Sequence, residues 1–341
     1  MALPQGPPGQ DPGQPASRAR MRGRVVRQER GALEVVTPEG TVLARPSGRM
    51  RLEARDAADL PVVGDLVVLS GISVQSVLPR KSALVRRDPG AEKPQLIAAN
   101  VDYALIVEPL DRPVRASRAE RMMALARSGD VAPVVVLTKS DLHQDPAGAA
   151  EALGRQVRAE AGQVLALSAV TGAGMEALER LLAPGVVAAL LGPSGAGKST
   201  LINRLLGEDR LEVGEVREGD HKGRHTTTRR ELVELPSGAM LIDGPGMREF
   251  GLWAAGGDEL SSTFDDVAAL AGECRFRDCA HQGEPGCAVR RAVAEGDLSF
   301  DRLDHFHKLQ REQTRGSPER RRLERLLGKV SRDASRNKRR S

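Results

Sequence analysis

Gly192-Pro193-Ser194-Gly195-Ala196-Gly197-Lys198-Ser199-Thr200 concentrates more chemistry than any other stretch of this 341-residue chain. The spacing of its glycines, ending in Lys and Ser, is that of a phosphate-cradling loop. In such a loop glycine lets the backbone approach phosphate oxygens, and successive N–H groups point at them from a helix N-terminus. Lys198 would reach the β- and γ-phosphates, and Ser199 would bind Mg²⁺. The flanks agree: Val186 to Leu191 is an apolar run suited to the preceding strand, and Leu201 to Leu206 continues as a helix.

Other short motifs name the base and the switches. Thr138-Lys139-Ser140-Asp141 follows the apolar run Val131 to Leu137 and is close to Asn-Lys-x-Asp. A carboxylate at Asp141 accepts from both N1–H and the 2-amino group of guanine, a pairing worth about 10⁴-fold in selectivity. Lys139 would lay its stem along the base. Ser168-Ala169-Val170, after the run Val164 to Leu167, matches a Ser-Ala-x loop whose backbone touches guanine O6. Beyond the phosphate loop, Gly223-Arg224-His225-Thr226-Thr227-Thr228 resembles a first switch, with Thr226 or Thr227 binding Mg²⁺ in the presence of the γ-phosphate. Asp243-Gly244-Pro245-Gly246 resembles the second, Asp243 holding Mg²⁺ through water and the Gly246 N–H sensing the γ-phosphate. Ordinary GTPases place the phosphate loop first and the guanine loops last. Here the order is G4-G5-G1-G2-G3, which predicts a circularly permuted P-loop GTPase domain.

Cys274, Cys279, His281 and Cys287 put three sulfurs and an imidazole within 14 positions. That donor set suits tetrahedral Zn²⁺, and four protein ligands indicate a closed, structural site. These are the only cysteines, so there is no even disulfide framework, and a reducing cytoplasm is expected.

The elements that must position these residues fall into blocks. Met21 to about Val85 contains five short Val- and Leu-rich runs separated by turn signals, which predicts a small β-barrel, with the oligonucleotide-binding kind the leading candidate and an SH3-like barrel the alternative. No Phe, Tyr or Trp precedes Tyr103, so this barrel cannot stack bases; contact with RNA would run through phosphates at Arg45, Arg49, Arg51 and Arg55. Arg86 to Pro94 reads as a linker. Then apolar β-branched runs alternate with helices such as Ser117 to Ser128, the pattern of a parallel sheet covered on both faces. A hairpin is expected over Glu231 to Ile242. Arg290 onward reads as one helix with an apolar stripe at Leu303, Phe306 and Leu309, and His305 and His307 are expected at the surface.

Composition sets outer bounds. Hydrophobic residues make up 40% of the chain, and no apolar run approaches the roughly 18 residues of a membrane span. Residues 1–20 are rich in Pro, Gly and Gln and read as a disordered leader. Residues 320–341 hold ten Lys or Arg against two acids, a surplus of eight, so the rest of a chain of net charge +5 is about three units negative. A basic tail on a near-neutral body predicts attraction to a polyanion such as nucleic acid.

On GPSGAGKST, GRHTTT and the cysteine cluster, residues 21 to 310 resemble the bacterial ribosome small-subunit-dependent GTPases, the RsgA or YjeQ family. The resemblance implies a multidomain chain: leader 1–20, OB-like β-barrel 21–90, permuted GTPase domain 95–260, zinc-binding helical module 261–318 and basic tail 319–341. It implies a monomeric cytoplasmic enzyme that binds the 30S subunit and its 16S rRNA late in maturation, is stimulated by the subunit, and checks or releases other assembly factors. His225 resembles the family's proposed catalytic histidine, and the zinc ligands match. Two positions depart from the pattern: Thr138 replaces Asn, which predicts fewer braces between the nucleotide loops, and Gly244 stands where Thr is common. Met247 occupies the place of a water-polarising Gln, which predicts slow turnover without a partner. An RNA-binding scaffold with a nearly inactive switch is the alternative. A P-loop ATPase or small-molecule kinase is disfavoured by the guanine loop.

Overall fold

The structure, a computed structural model, describes residues 20–29, 31–55, 57–87, 94–158, 162–209, 230–244 and 264–314. Five strands form the N-terminal barrel: β1 (Arg20–Glu29), β2 (Ala32–Thr37), β3 (Gly40–Pro46), β4 (Leu66–Ser70) and β5 (Ser73–Val77), with helix α1 (Gly48–Glu53) between β3 and β4. Alternation folds them. In β2, Leu33 and Val35 point inward to meet Val25, Ala44, Val67, Leu69 and Val74, while Glu34 and Val36 point out. The strands close in the order β1-β2-β3-β5-β4-β1, with β3 and β5 parallel. A five-stranded Greek-key barrel of this kind is oligonucleotide-binding in type, the kind that led in the sequence. A bulge between Val25 and Arg27 lets the long β1 pair with β4 along its first half and with β2 along its second.

The expected linker is partly regular. Its ends lie in β6 (Ala83–Arg87) and β7 (Pro94–Ala99), an antiparallel ribbon in which Arg87 pairs with Pro94. Leu84, Val85, Leu96, Ile97 and Ala98 are buried, and this apolar content outweighs the charges that made the stretch look like a linker.

Four parallel strands follow, β8 (Tyr103–Pro109), β9 (Ala132–Thr138), β10 (Val164–Ala166) and β11 (Val187–Leu191). The predicted hairpin appears as β12 (Glu231–Glu234) and β13 (Met240–Asp243), giving the sheet order β10-β9-β8-β11-β13-β12, with β13 parallel to β11. Both faces are covered. Ala104 and Ile106 face the side packed by α2 (Ala116–Ser128) and α3 (Pro146–Gln156), while Leu105 and Val107 face that of α4 (Met175–Leu181) and α5 (Lys198–Leu206). Near-continuous apolar strands are what two covered faces require. Antiparallel pairing of β12 with β1, at Glu231 and Arg27, runs this sheet on into the barrel.

Past the sheet lie α6 (Asp265–Ala271), α7 (Ala288–Glu295) and α8 (Phe300–Thr314). The single helix expected from Arg290 is therefore two. Gly296, at φ +87°, ends the first, because a left-handed residue past the last turn is where glycine terminates helices. Val289, Leu303 and Leu309 share one apolar cluster with Met122, Leu125 and Ala126 of α2. No helix among the described residues is long and apolar enough to cross a membrane.

Candidate nucleotide site and metal cluster

The parallel strands β8, β9, β10, β11 and β13 all point one way, so the loops leaving them gather along a single edge, where open α/β sheets bind ligands. Along that edge stand Leu110 and Asp111, then Thr138 to Asp141, Ser168 to Val170, Gly192 to Lys198, and Asp243. The phosphate loop is shaped by its neighbours. At Gly192 φ is +149°, and a Cβ would lie 2.4 Å from the Val107 carbonyl oxygen, so only glycine passes there. Gly195 and Gly197 also have positive φ. Lys198 is buried within the loop, donating to the Gly192 and Pro193 carbonyls at 2.8 and 2.6 Å. Ser194 and Gly195 form the exposed tip, Pro193 is half-buried, and Ser199 and Thr200 lie half-buried in the first turn of α5.

Thr138 joins two loops. Its hydroxyl donates to the Ala196 carbonyl at 2.7 Å, while the Glu108 carbonyl lies 3.4 Å away. The base loop is therefore held against the phosphate loop by a hydroxyl. Next to it Lys139 takes a left-handed turn, φ +57°, and its ammonium pairs with Asp111. Ser140 is buried with its N–H on the Leu167 carbonyl, and Asp141 is exposed. Ser168 is fully buried, its hydroxyl accepting from Thr171 N–H at 3.1 Å, with Ala169 half-buried beside it. Gly174, at φ +73°, lets the loop pass the Ala166 carbonyl, which a Cβ would approach to 2.2 Å. Asp243 is 4% exposed at the end of β13, adjacent to the strand that feeds the phosphate loop. A hydroxyl at Ser199 and a carboxylate at Asp243 are hard oxygen donors of the kind Mg²⁺ takes while keeping several waters. His225, Thr226, Thr227, Gly246 and Met247 lie outside the described residues, as do the leader and the basic tail.

The cysteine cluster comes together as spacing predicts. The Cys274, Cys279, Cys287 sulfurs and a His281 ring nitrogen lie within 4.8 Å of one another. His281 Nδ1 is 3.6 Å from Cys274 Sγ and 3.5 Å from Cys287 Sγ, and those two sulfurs are 3.9 Å apart. A tetrahedron with Zn–S near 2.3 Å and Zn–N near 2.0 Å has edges of about 3.5–3.8 Å, so the four donors fit zinc in kind, and Cys274, His281 and Cys287 are close to that spacing, within a set that spans up to 4.8 Å. Burial lowers the His281 pKa and favours the neutral imidazole that binds metal. Burial opposes ionisation of Cys274, but the Val289 and Ala288 N–H groups together with hydrogen bonds from Cys279 and Cys287 outweigh it and hold the thiol below its usual value.

Several side chains with structural weight escaped the sequence reading. The Glu284 carboxylate accepts from the N–H groups of Ala280, Gln282 and Gly283 at 2.8, 2.8 and 3.0 Å and so organises the ligand loop. Its own N–H, with those of Gly283 and Ala280, pulls its pKa down to about 2. Glu120 of α2 is 1% exposed and meets Arg302 at 2.6 Å and His305 at 2.7 Å. Arg302 also holds Asp266 and lies 4.3 Å over the Phe264 ring. Burial raises the Glu120 pKa in spite of Arg302, whereas at Asp266 the Arg302 hydrogen bond and charge overcome burial and lower it. His305 and His307, expected at the surface, are part-buried and bonded, His307 to the Ala280 carbonyl at 3.0 Å. One signal for Glu120 was available: it interrupts the stripe Ala116, Ala119, Met123, Ala126 at a position a helix of this pattern buries.

Comparison with known proteins adds a separate line of support. The family model for RsgA GTPase matches residues 77–253. The small ribosomal subunit biogenesis GTPase RsgA of Opitutus terrae is 44% identical over 333 residues, covering 93% of this chain and 89% of the relative. Its namesake from Xylella fastidiosa strain 9a5c is 48% identical over 291 residues, covering 85% and 84%. Among solved structures, YjeQ from Thermotoga maritima aligns with TM-score 0.63 at 26% identity, over 85% of this chain and 97% of that one.

Proposed function

The chain belongs to the RsgA GTPase family and is a GTP hydrolase, and from that premise we propose that it acts in maturation of the small ribosomal subunit, as the names of its relatives say of them. The subunit is the activator, and the nucleotide state decides how the protein engages it. The observation that carries the nucleotide reading is the Thr138 bond to Ala196, which ties the base loop to the phosphate loop on one sheet edge.

Residue roles follow from that arrangement. Asp141 selects guanine by accepting from N1–H and the 2-amino group, Lys139 lines the base, and the Ser168–Ala169 backbone approaches O6. Backbone N–H groups from Gly192 to Gly197, with Lys198, take the β- and γ-phosphates. Ser199, Asp243 and Thr226 or Thr227 hold Mg²⁺, which when bound neutralises charge on the phosphates being separated. The Gly246 N–H senses the γ-phosphate, and His225 orients the water that attacks it, yielding GDP and phosphate. With Met247 beside the switch glycine, turnover is slow until a partner orders the switches. One structural Zn²⁺ sits on Cys274, Cys279, His281 and Cys287. The basic tail and the barrel arginines contact 16S rRNA through phosphates, and the protein works as a cytoplasmic monomer.

Turnover measured with and without 30S particles, on wild type and on His225→Ala, tests this. Expected is slow hydrolysis that the particles accelerate at least tenfold in wild type and much less in the variant. Absence of stimulation in wild type would leave a nucleotide-binding scaffold, and displacement of GTP by ATP would end the guanine assignment.

A further inference from the structure

Helix α2 carries two ion pairs at positions two residues apart, and they reach in different directions. Arg118 Nε and Nη2 grip the carboxylate of Glu108, a fully buried residue at the end of β8. The carbonyl of Glu108 lies 3.4 Å from the Thr138 hydroxyl that holds Ala196, and the preceding carbonyl, of Val107, is the surface on which Gly192 packs. This turn of backbone therefore supports both nucleotide loops. Glu120 reaches the other way, to Arg302 and His305 of α8. From Arg302 contacts run on toward the zinc ligands: its guanidinium lies over Phe264, Phe264 meets Phe306 edge-on at 5.6 Å, and Phe306 lies 6.1 Å from the His281 ring.

The rest of the buried face of α2 is Ala116, Ala119, Met122, Met123, Ala124, Leu125 and Ala126. Alanines offer little shape to interlock and methionine adapts its shape, so such a face tolerates small shifts along the sheet. Directional charge pairs in a low-dielectric interior are what fix its position.

We propose that α2 is a relay that ties the seating of the zinc module to the geometry of the nucleotide loops, with Arg118, Glu120 and Arg302 as its positioning residues. The proposal rests on the GTPase reading and adds its regulation: contact of a partner with the zinc module changes guanine-nucleotide affinity through α2. Coupling of this sort is reciprocal, so bound nucleotide also steadies the module.

The test uses the full-length, zinc-loaded protein. Affinities for a fluorescent GDP, a fluorescent ADP and a non-hydrolysable GTP analogue are measured for wild type, Arg302→Met, Arg118→Met and the double variant, with zinc content determined for each. Arg302 pairs with Glu120 and Asp266 and lies over Phe264, and through Glu120 Arg302→Met is expected to shift affinity about 3- to 10-fold with zinc retained. The double variant should shift it by no more than the larger single effect, because both residues act through one helix. Where Arg302→Met loses its zinc, Glu120→Gln carries the test, since it keeps the shape and an acceptor for the guanidinium. A variant with full zinc content, a lowered melting temperature and unchanged nucleotide affinity overturns the relay and leaves a structural clamp. Failure of the underlying reading looks different: wild type itself would then show no preference for guanine.

Discussion

Thr138 has one hydroxyl proton to give, and it goes to the Ala196 carbonyl. An amide at that position could donate twice, which is why the sequence alone suggested a looser pair of loops. The structure shows the bond to the phosphate loop kept, with the Glu108 carbonyl at 3.4 Å as the weaker contact. Thr138→Val keeps the shape and deletes the donor, leaving a buried carbonyl short of its partner at a cost of about 1–3 kcal/mol. If the bond presets the loop for phosphate, equilibrium titration should show GDP binding weakened by roughly 5- to 150-fold, with Thr138→Ser close to wild type. Preference for guanine over adenine should be unaltered, because Asp141 is untouched. Equal affinity in wild type and Thr138→Val would show the brace to be idle. At this scale the sequence is legible where residue type and spacing alone bring side chains together, as with the three cysteines and His281, or bury one in its own loop, as with Lys198. It is poorly legible where a charged side chain works only through a distant partner: nothing near Glu120 in the chain points to Arg302, 182 positions away.

Elements were legible in proportion to the strength of their periodic signal. The strands β9 and β11 are continuous apolar runs and were read within one residue at each end, whereas the β6–β7 ribbon was hidden by Arg86, Arg87, Glu92 and Lys93. The sequence favoured the oligonucleotide-binding barrel without excluding an SH3-like one, because strand runs do not encode partner order; the parallel β3–β5 pairing decides it. The ligand loop from Cys279 to Cys287 has no periodicity, and its form comes from one carboxylate. With Glu284 accepting from three backbone N–H groups, His281 can hold its left-handed φ of +60° beside two sulfurs. Partners that orient metal ligands from outside the donor set are typically worth about 10- to 100-fold in metal affinity. Glu284→Ala should therefore lose zinc to a competing chelator at a free-metal level about 10- to 100-fold higher than wild type requires. A variant with Glu284→Gln, which keeps a carbonyl oxygen, should fall between. Unchanged zinc affinity in Glu284→Ala would show that the four ligands shape the loop without help.

At the scale of the whole molecule, packing runs across the block boundaries read from the sequence. The barrel continues into the GTPase sheet through β1 and β12, where Arg27 bridges Glu34 and Glu231 at 2.8 and 2.9 Å. The helices beside the cysteine cluster share a core with α2: Val289, Ala292, Leu303 and Leu309 belong to the same apolar cluster as Ile106, Met123 and Val135. That sharing has a thermodynamic consequence. Structural zinc is coupled to folding, because the ligands are brought together only in the folded state. Removing it should loosen α7 and α8 on the face of α2 and draw Arg302 away from Glu120; breaking such a pair while the carboxylate stays buried costs about 3–5 kcal/mol. An independently packed module would confine the damage to itself. Here the GTPase domain should suffer as well, so zinc-loaded protein should melt in one cooperative transition that chelation moves to lower temperature as a whole. Guanine nucleotide, which binds only the folded site, should raise the midpoint in both forms. Calorimetry with and without chelator decides it. Two separated transitions, with the nucleotide-responsive one unmoved by chelation, would mean that the shared apolar cluster is contact without cooperativity.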